Sequence, residues 1–219
     1  MNIILLGPQG SGKGTQASLL NARIGVVQVA SGDVLRAAIQ SATPLGIEAK
    51  TYYDAGDLVP DAIVIGLLIE AIDQVPDGTD VLLDGFPRTV AQAQALDAAL
   101  AERGSPVEKV VELRLPLSVA KERLSGRLVC RTCGAVYNER TRPPTVAGVC
   151  DIDGSPLYQR ADDYPEAIEK RLRIWEREND ALVAYYESKG ILESVDAQGA
   201  PEIVMTHLLA VLAPAGASA

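Results

Sequence analysis

Short uninterrupted apolar runs alternate with longer stretches of helical spacing along most of the chain. Residues 2–6, Asn-Ile-Ile-Leu-Leu, form an apolar run of strand length, continuous enough for a buried place in a sheet. Over residues 13–24, Ala17, Leu20 and Ile24 recur at helical spacing. Residues 26–30 predict a second strand, and Ser31-Gly32-Asp33 opens a helix over 34–42 with Ser31 as its N-cap. Thr43-Pro44-Leu45-Gly46 punctuates the chain before a short helix that runs to Tyr53. Residues 56–61 are a turn into a long apolar helix over 62–75, and Pro60 suits its first turn.

Residues 80–83 predict a third strand, and Thr89 caps an Ala-rich helix over 90–102. A fourth strand follows over 109–115. The amphipathic helix predicted over 118–128 then places Arg123 and Arg127, at i and i+4, on one face. Residues 129–163 break the rhythm with frequent Gly, Pro, Thr and Cys and little helical period, as an inserted small module would. A long helix over 166–189, a fifth strand over 191–195 and a last helix over 201–212 complete the pattern, with a frayed tail over 213–219. Alternating strands and helices predict an α/β fold: three layers around a mostly parallel sheet of five strands. In such sheets ligands bind beyond the carboxyl ends of the strands. The turns that carry Gly7, Asp33 and Asp84 all follow strands and should converge on one cleft.

The first of these turns carries the sharpest chemistry. Gly7-x4-Gly12-Lys13 has the spacing of a phosphate-binding P-loop, and no G-x-G-x-x-G is present to suggest a dinucleotide fold. Its glycines let successive backbone N–H groups point inward, and a helix N-terminus and the Lys13 ammonium add positive potential for a polyphosphate. Gly14 follows the lysine, so the hydroxyl comes one place later than in the general motif, at Thr15.

Composition narrows the function. The net charge is −9, which argues against a broad nucleic-acid surface and requires any anionic ligand to find a local basic pocket. Aromatics are only 4% of residues, so aliphatic packing dominates the core. With one histidine, His207, the chain lacks the parts of a His-supported triad. Phosphoryl transfer needs positioning and charge neutralisation instead, and Arg36, Arg88, Arg123, Arg127, Arg160 and Arg171 sit beside the proposed loops. No basic leader precedes Gly7 and no apolar run approaches a membrane span, which makes the cytoplasm the expected compartment. The three cysteines, Cys130, Cys133 and Cys150, share one stretch, a pattern of metal binding rather than disulfides.

Several of these motifs in this order resemble the adenylate kinases of the long bacterial type, which carry a metal-binding lid. The resemblance rests on residues 7–16, Ser31-Gly32-Asp33 with Arg36, residues 56–61, residues 84–89 with Gln92, Gly126-Arg127, the cysteine module, Arg160-Ala161-Asp162-Asp163 and Lys170-Arg171-Leu172. It implies reversible phosphoryl transfer from Mg-ATP to AMP, giving two ADP, by a monomer that binds neither nucleic acid nor membrane. It also implies a P-loop core of residues 1–126 and 164–219, an AMP-binding segment at 31–60 within it, and a lid at 127–163.

By the same resemblance, Gly10, Ser11, Gly12, Lys13, Gly14 and Thr15 cradle the ATP phosphates, with Lys13 on the β/γ positions. Asp33 and Asp84 hold the water shell of Mg2+. Arg36 and Arg88 hold the AMP phosphate, and Arg123, Arg127, Arg160 and Arg171 surround the transferring group or flank ATP. Arg160 and Arg171 also reach the AMP side. Val136, Tyr137 and Gly199 fall where the family contacts ATP. AMP selection falls to Ser31, Asp57, Leu58, Val59, Gly85, Phe86, Pro87, Arg88 and Gln92. An amide at Gln92 can meet the N1 acceptor and N6 donor of adenine, and one that cannot flip penalises guanine, whose edge is reversed. The chain departs from the family at Ser31 (commonly Thr), Ala30 (commonly a second hydroxyl) and Glu169 (an arginine in some members), which bears on rates and affinities.

Cys130-x2-Cys133 and Cys150-x2-Asp153 pair as the halves of a zinc ribbon with a carboxylate as last ligand. Asp151 is a rival fourth ligand, and the spacing together with the resemblance favours Asp153. Four protein donors leave no open position, so a bound Zn2+ is expected to be structural. Rival functions are a sister kinase for UMP, CMP or GMP, a GTP-dependent form, and a zinc-ribbon interaction protein. The last leaves the P-loop unexplained.

Overall fold

A computed structural model describes residues 1–55 and 59–213. Its centre is a five-stranded parallel sheet. Strands β1 (Asn2–Leu6), β2 (Val27–Ala30), β3 (Val81–Asp84), β4 (Val107–Arg114) and, last in the chain, β8 (Leu192–Asp196) lie in the order β2-β3-β1-β4-β8. The continuous apolar run of β1 is explained by its central place. Ile3 and Leu5 face one layer with Leu20, Leu124 and Leu208, whereas Ile4 and Leu6 face the other with Leu96, Leu100 and Tyr186. Helices α1 (Lys13–Ile24), α6 (Leu117–Ser125) and α8 (Pro201–Leu212) cover the first face. Helices α4 (Asp61–Asp73), α5 (Val90–Glu102) and the later half of α7 (Pro165–Ser188) cover the second.

Helices α2 (Ser31–Gln40) and α3 (Pro44–Ala55) make a smaller cluster with α4, built on Ala38, Ala49, Ile63 and Leu67. Here two expectations are corrected. Ser31 is the first helical residue and not the cap; Ala30 holds the cap position, with no side-chain cap bond. Pro44-Leu45-Gly46 is the first turn of α3 rather than a break before it, and the Thr43 hydroxyl accepts the Gly46 N–H at 3.1 Å. Gly46 is required by packing, since a Cβ there would lie 2.1 Å from the Ala38 carbonyl oxygen. Gly46→Ala is therefore expected to cost about 2 kcal/mol. Urea unfolding would show this as a lower midpoint at unchanged slope, and an unchanged midpoint would refute the contact.

The third correction matters for function. Helix α6 stops at Ser125, and Arg127 begins β5 (Arg127–Cys130) instead of sharing a helical face with Arg123. Leu128 continues the apolar spacing of Ala120 and Leu124, which made the helix look longer. Yet Leu128 and Val129 pair antiparallel with Tyr137 and Val136 of β6 (Val136–Asn138). Strand β7 (Leu157–Tyr158) pairs on the other side of β5, giving a separate three-stranded sheet between α6 and α7. Among the described residues no helix is long and apolar enough to cross a membrane.

Candidate active site

The loop between β1 and α1 carries the phosphate-binding geometry. Gly10 has φ +88°, a left-handed conformation, and a Cβ there would meet the Ala120 carbonyl oxygen at 2.8 Å. The cap of α1 is Gly12, which makes no side-chain cap bond, so the first N–H groups of the helix are left to an incoming anion. Lys13 folds back and donates to the Gly7 and Pro8 carbonyls at 2.7 and 3.0 Å. Desolvation pushes its pKa down to about 8, and the Asp84 carboxylate opposes the shift while Arg88, Arg171 and Arg127 add to it. Ser11 Oγ is buried with no hydrogen-bond partner among the described residues. Gln16 donates to the Pro201 carbonyl at 3.0 Å and ties the loop's helix to α8.

Asp84 ends β3 directly beside Ala30 of β2, and Gln28 donates to it at 3.0 Å. Asp33 lies one turn beyond Ala30 and is exposed, paired with Arg36 on its own helix. Both carboxylates thus stand at the carboxyl ends of neighbouring strands. Gly85, at φ +82°, turns the chain so that Ser31 Oγ would lie 3.0 Å from a Cβ at that position. Phe86 is buried, and its bond to Pro87 is cis. Arg88 donates to the Gly85 carbonyl at 2.8 Å, and desolvation lowers its pKa from the ordinary value. Gln92 lies one helical turn on, its side chain bonded to the Arg88 N–H and to Asp61. Val59 packs on the small α2–α4 cluster. Asp57 and Leu58 lie outside the described residues.

The remaining arginines form two groups. Arg123 donates to the Ala197 and Gln198 carbonyls at 3.0 and 3.2 Å and reaches the Gly10 carbonyl at 3.5 Å, bringing the segment before Gly199 to the P-loop. Arg127, Arg160 and Arg171 are arrayed on two consecutive carboxylates. Arg127 makes a two-pronged pair with Asp163 at 2.7 and 2.5 Å, and Asp163 is fully buried. Arg160 grips Asp162 at 2.9 and 2.8 Å, while Arg171 reaches Asp162 at 2.9 Å and Asp163 at 3.6 Å. Desolvation pushes the Asp162 carboxyl up, but Arg171 and Arg160 outweigh it and hold it below the usual carboxylate range. The roles of Asp162, Asp163, Gln28 and Asp61 escaped the sequence reading. The available signal was Arg160-x-Asp162-Asp163, an acidic pair too close to an arginine to be ordinary surface. Glu169 pairs with Lys121 at 2.6 Å and with Arg173 at 3.7 Å.

A cavity of about 760 Å³ lies beside this cleft, between the ends of β4 and β8 and the flank of α7. Its walls carry Glu112, Glu176, Asp180 and Asp196 against Arg114, a poor seat for a polyphosphate.

In the small sheet, Cys130, Cys133, Cys150 and Asp153 bring their donor atoms within 4.8 Å of one another. Tetrahedral zinc with bond lengths near 2.3 Å to sulfur and 2.1 Å to oxygen requires edges of about 3.8 Å between sulfurs and about 3.6 Å between sulfur and oxygen. Cys133 and Cys150 Sγ lie 3.6 Å apart, and Cys130 Sγ lies 3.4 Å from both Asp153 oxygens. The donor set fits zinc. Asp151 is turned away, accepting the Thr145 N–H at 2.9 Å. Tyr137 is buried against this cluster, its hydroxyl 3.5 Å from Cys150 Sγ, whereas Val136 beside it is exposed.

The family model described as Adenylate kinase matches residues 5–191. A protein of Moorella thermoacetica named Adenylate kinase is 45% identical over 206 residues, covering 94% of this chain and 95% of the relative. One of Citrifermentans bemidjiense with the same name is 47% identical over 212 residues, covering 97% and 99%. One of Methanosarcina acetivorans, also so named, is 44% identical over 213 residues, again covering 97% and 99%. With a glycine-rich loop under a desolvated lysine and matches that run nearly the whole length of the sequence, the chain belongs to the adenylate kinase family.

Proposed function

We propose that the chain moves the terminal phosphoryl group of Mg-ATP reversibly to AMP, giving two ADP, by aligning the phosphates and neutralising their charge. One observation carries the reading. In a protein of net charge −9, the P-loop lysine has Arg88, Arg127 and Arg171 close enough to depress its pKa. These guanidiniums come from the turn after β3, from β5 and from α7, so the positive field is assembled from separate parts of the chain. Such a field suits the charge spread over a transferring phosphoryl group.

Residues 10–15 cradle the ATP phosphates, with Lys13 on the β/γ oxygens and Arg123 and Gly199 flanking the nucleotide. Arg36 and Arg88 take the AMP phosphate, and Gln92 reads the base. Arg127, Arg160 and Arg171 exchange their carboxylate partners for phosphate oxygens. Asp33 and Asp84 hold the water shell of the Mg2+ that accompanies ATP, consistent with that ion's preference for water and few carboxylates. Residues 127–163 serve as a lid whose shape depends on Zn2+ at Cys130, Cys133, Cys150 and Asp153, and 31–60 as the AMP-binding segment. A closing lid keeps water from the phosphoryl group. Membership of the family supports a monomer of the cytoplasm that needs no membrane, and the net charge of −9 argues against a nucleic-acid partner.

The test is turnover of Mg-ATP with AMP, GMP, CMP, UMP or no acceptor, with the product nucleotides separated and counted. ADP formed quickly with AMP and almost none without acceptor is the expected result. Turnover with a different monophosphate would make the chain a sister kinase, and transfer to water at a comparable rate would remove the lid from the mechanism.

A further inference from the structure

Resting on the AMP reading above, we propose that Asp61 is the positioning residue that fixes which way the Gln92 amide faces, and so sets adenine over hypoxanthine and guanine. Gln92 is the third residue of α5, and the Thr89 hydroxyl accepts its N–H at 3.3 Å as the helix cap. Its side chain turns back past the cap, one residue further than in a capping box, so that Oε1 accepts the Arg88 N–H at 2.7 Å. On the other side, Nε2 donates to Asp61 Oδ1 at 2.7 Å.

These two partners are unambiguous in kind. A backbone N–H can only donate and an ionised carboxylate can only accept. A flipped amide would set Nε2 against the Arg88 N–H and Oε1 against the Asp61 carboxylate, a donor facing a donor and an acceptor facing an acceptor. One orientation therefore survives. It leaves one N–H of Nε2 and one lone pair of Oε1 unused. That is the pair needed by adenine, with its N1 acceptor and N6 donor. Hypoxanthine and guanine offer an N1 donor and an O6 acceptor, which only the flipped amide could meet. Asp61 comes from the first turn of α4, where an acidic side chain is favoured by the helix dipole, so the lock joins two helices that both border the acceptor site.

The deciding experiment uses the full chain with Mg-ATP and compares AMP with IMP, which differs from AMP only in the donor–acceptor pattern at positions 1 and 6. Asp61→Asn supplies an amide that can turn either way, so that only the Arg88 N–H still opposes a flipped Gln92. The AMP:IMP ratio of kcat/KM is expected to narrow by at least about tenfold. The change should lie in the acceptor KM, with KM for ATP and the thermal midpoint close to wild type. Asp61→Glu keeps an acceptor-only partner and should retain most of the preference, while Asp61→Ala should fall between the two. An unchanged ratio in a folded Asp61→Asn protein overturns the inference. Loss of turnover on AMP and IMP alike, with KM for ATP also raised, would show a structural role and overturn it too. A wild-type protein that uses CMP or UMP rather than AMP fails the AMP reading itself, and the inference with it.

Discussion

Replacing Lys13 with methionine is expected to lower kcat/KM for ADP formation by about a thousandfold without weakening the fold. The ammonium lies over the Gly7 and Pro8 carbonyls, at the place where a P-loop presents charge to the β/γ phosphates. The side chain is desolvated, with a pKa of about 8 against an ordinary 10.5. The sign for stability follows from linkage. The folded chain binds its proton less tightly than the unfolded one, so this group works against folding at neutral pH. Stability rises as pH climbs from about 8 toward 10.5. Methionine keeps the stem and removes that cost, so thermal unfolding at pH 7 should be unchanged or slightly higher.

A bound polyphosphate favours the charged form and draws the pKa back up. Nucleotide binding should therefore take up a proton above pH 8. Affinity should be flat below that pH and fall by up to about tenfold per unit above it. Calorimetry in buffers of different ionisation enthalpy measures the uptake directly, and Lys13→Met should abolish it. Affinity independent of pH between 8 and 10 would mean that another group carries the charge.

Stripping the metal should melt the small sheet while the five-stranded sheet stays folded. The strands of the small sheet are only four, three and two residues long, and its buried residues are Cys130, Tyr137 and Cys150. So little apolar surface cannot hold three short strands in water, whereas structural zinc contributes about 10–16 kcal/mol to folding of small modules. Elemental analysis should find close to one zinc per chain, and Cys150→Ser should lose most of it. Hydrogen exchange after chelation should rise across residues 127–163 and stay slow in β1. Transfer to AMP should fall with it, because Arg127 stands on β5 and Arg160 follows β7. A chain that holds no stoichiometric metal, and whose small sheet ignores chelators, would refute the site.

The two experiments probe different kinds of information. The P-loop is a local device: its spacing, the strand before it and the helix after it lie within residues 2–24, and sequence pattern reached all three. The same holds for Thr89 as a cap and for Pro201–Leu212 as the last helix, because capping and periodicity are properties of neighbours in the chain. The clustering of Cys130, Cys133, Cys150 and Asp153 was legible for a similar reason, since paired x2 spacings encode a knuckle.

What escaped were partners chosen across the fold. Leu128 fits the spacing of α6, yet pairing with Tyr137 gives its backbone better hydrogen bonds in a strand, and Arg127 moved with it away from Arg123. Asp162 and Asp163 stand beside Arg160 in the sequence, but only the meeting of β5 and α7 brings Arg127 and Arg171 to them. Nothing local announced that Asp61 would bind Gln92, 31 residues later. The alternation of strands and helices, the glycine-rich loop and the Cys/Asp spacing could be read from the chain alone, because each is a matter of short-range pattern. Which carboxylate holds which arginine, and which way the Gln92 amide faces, was settled in the fold, because those energies exist only once distant segments exclude water and touch.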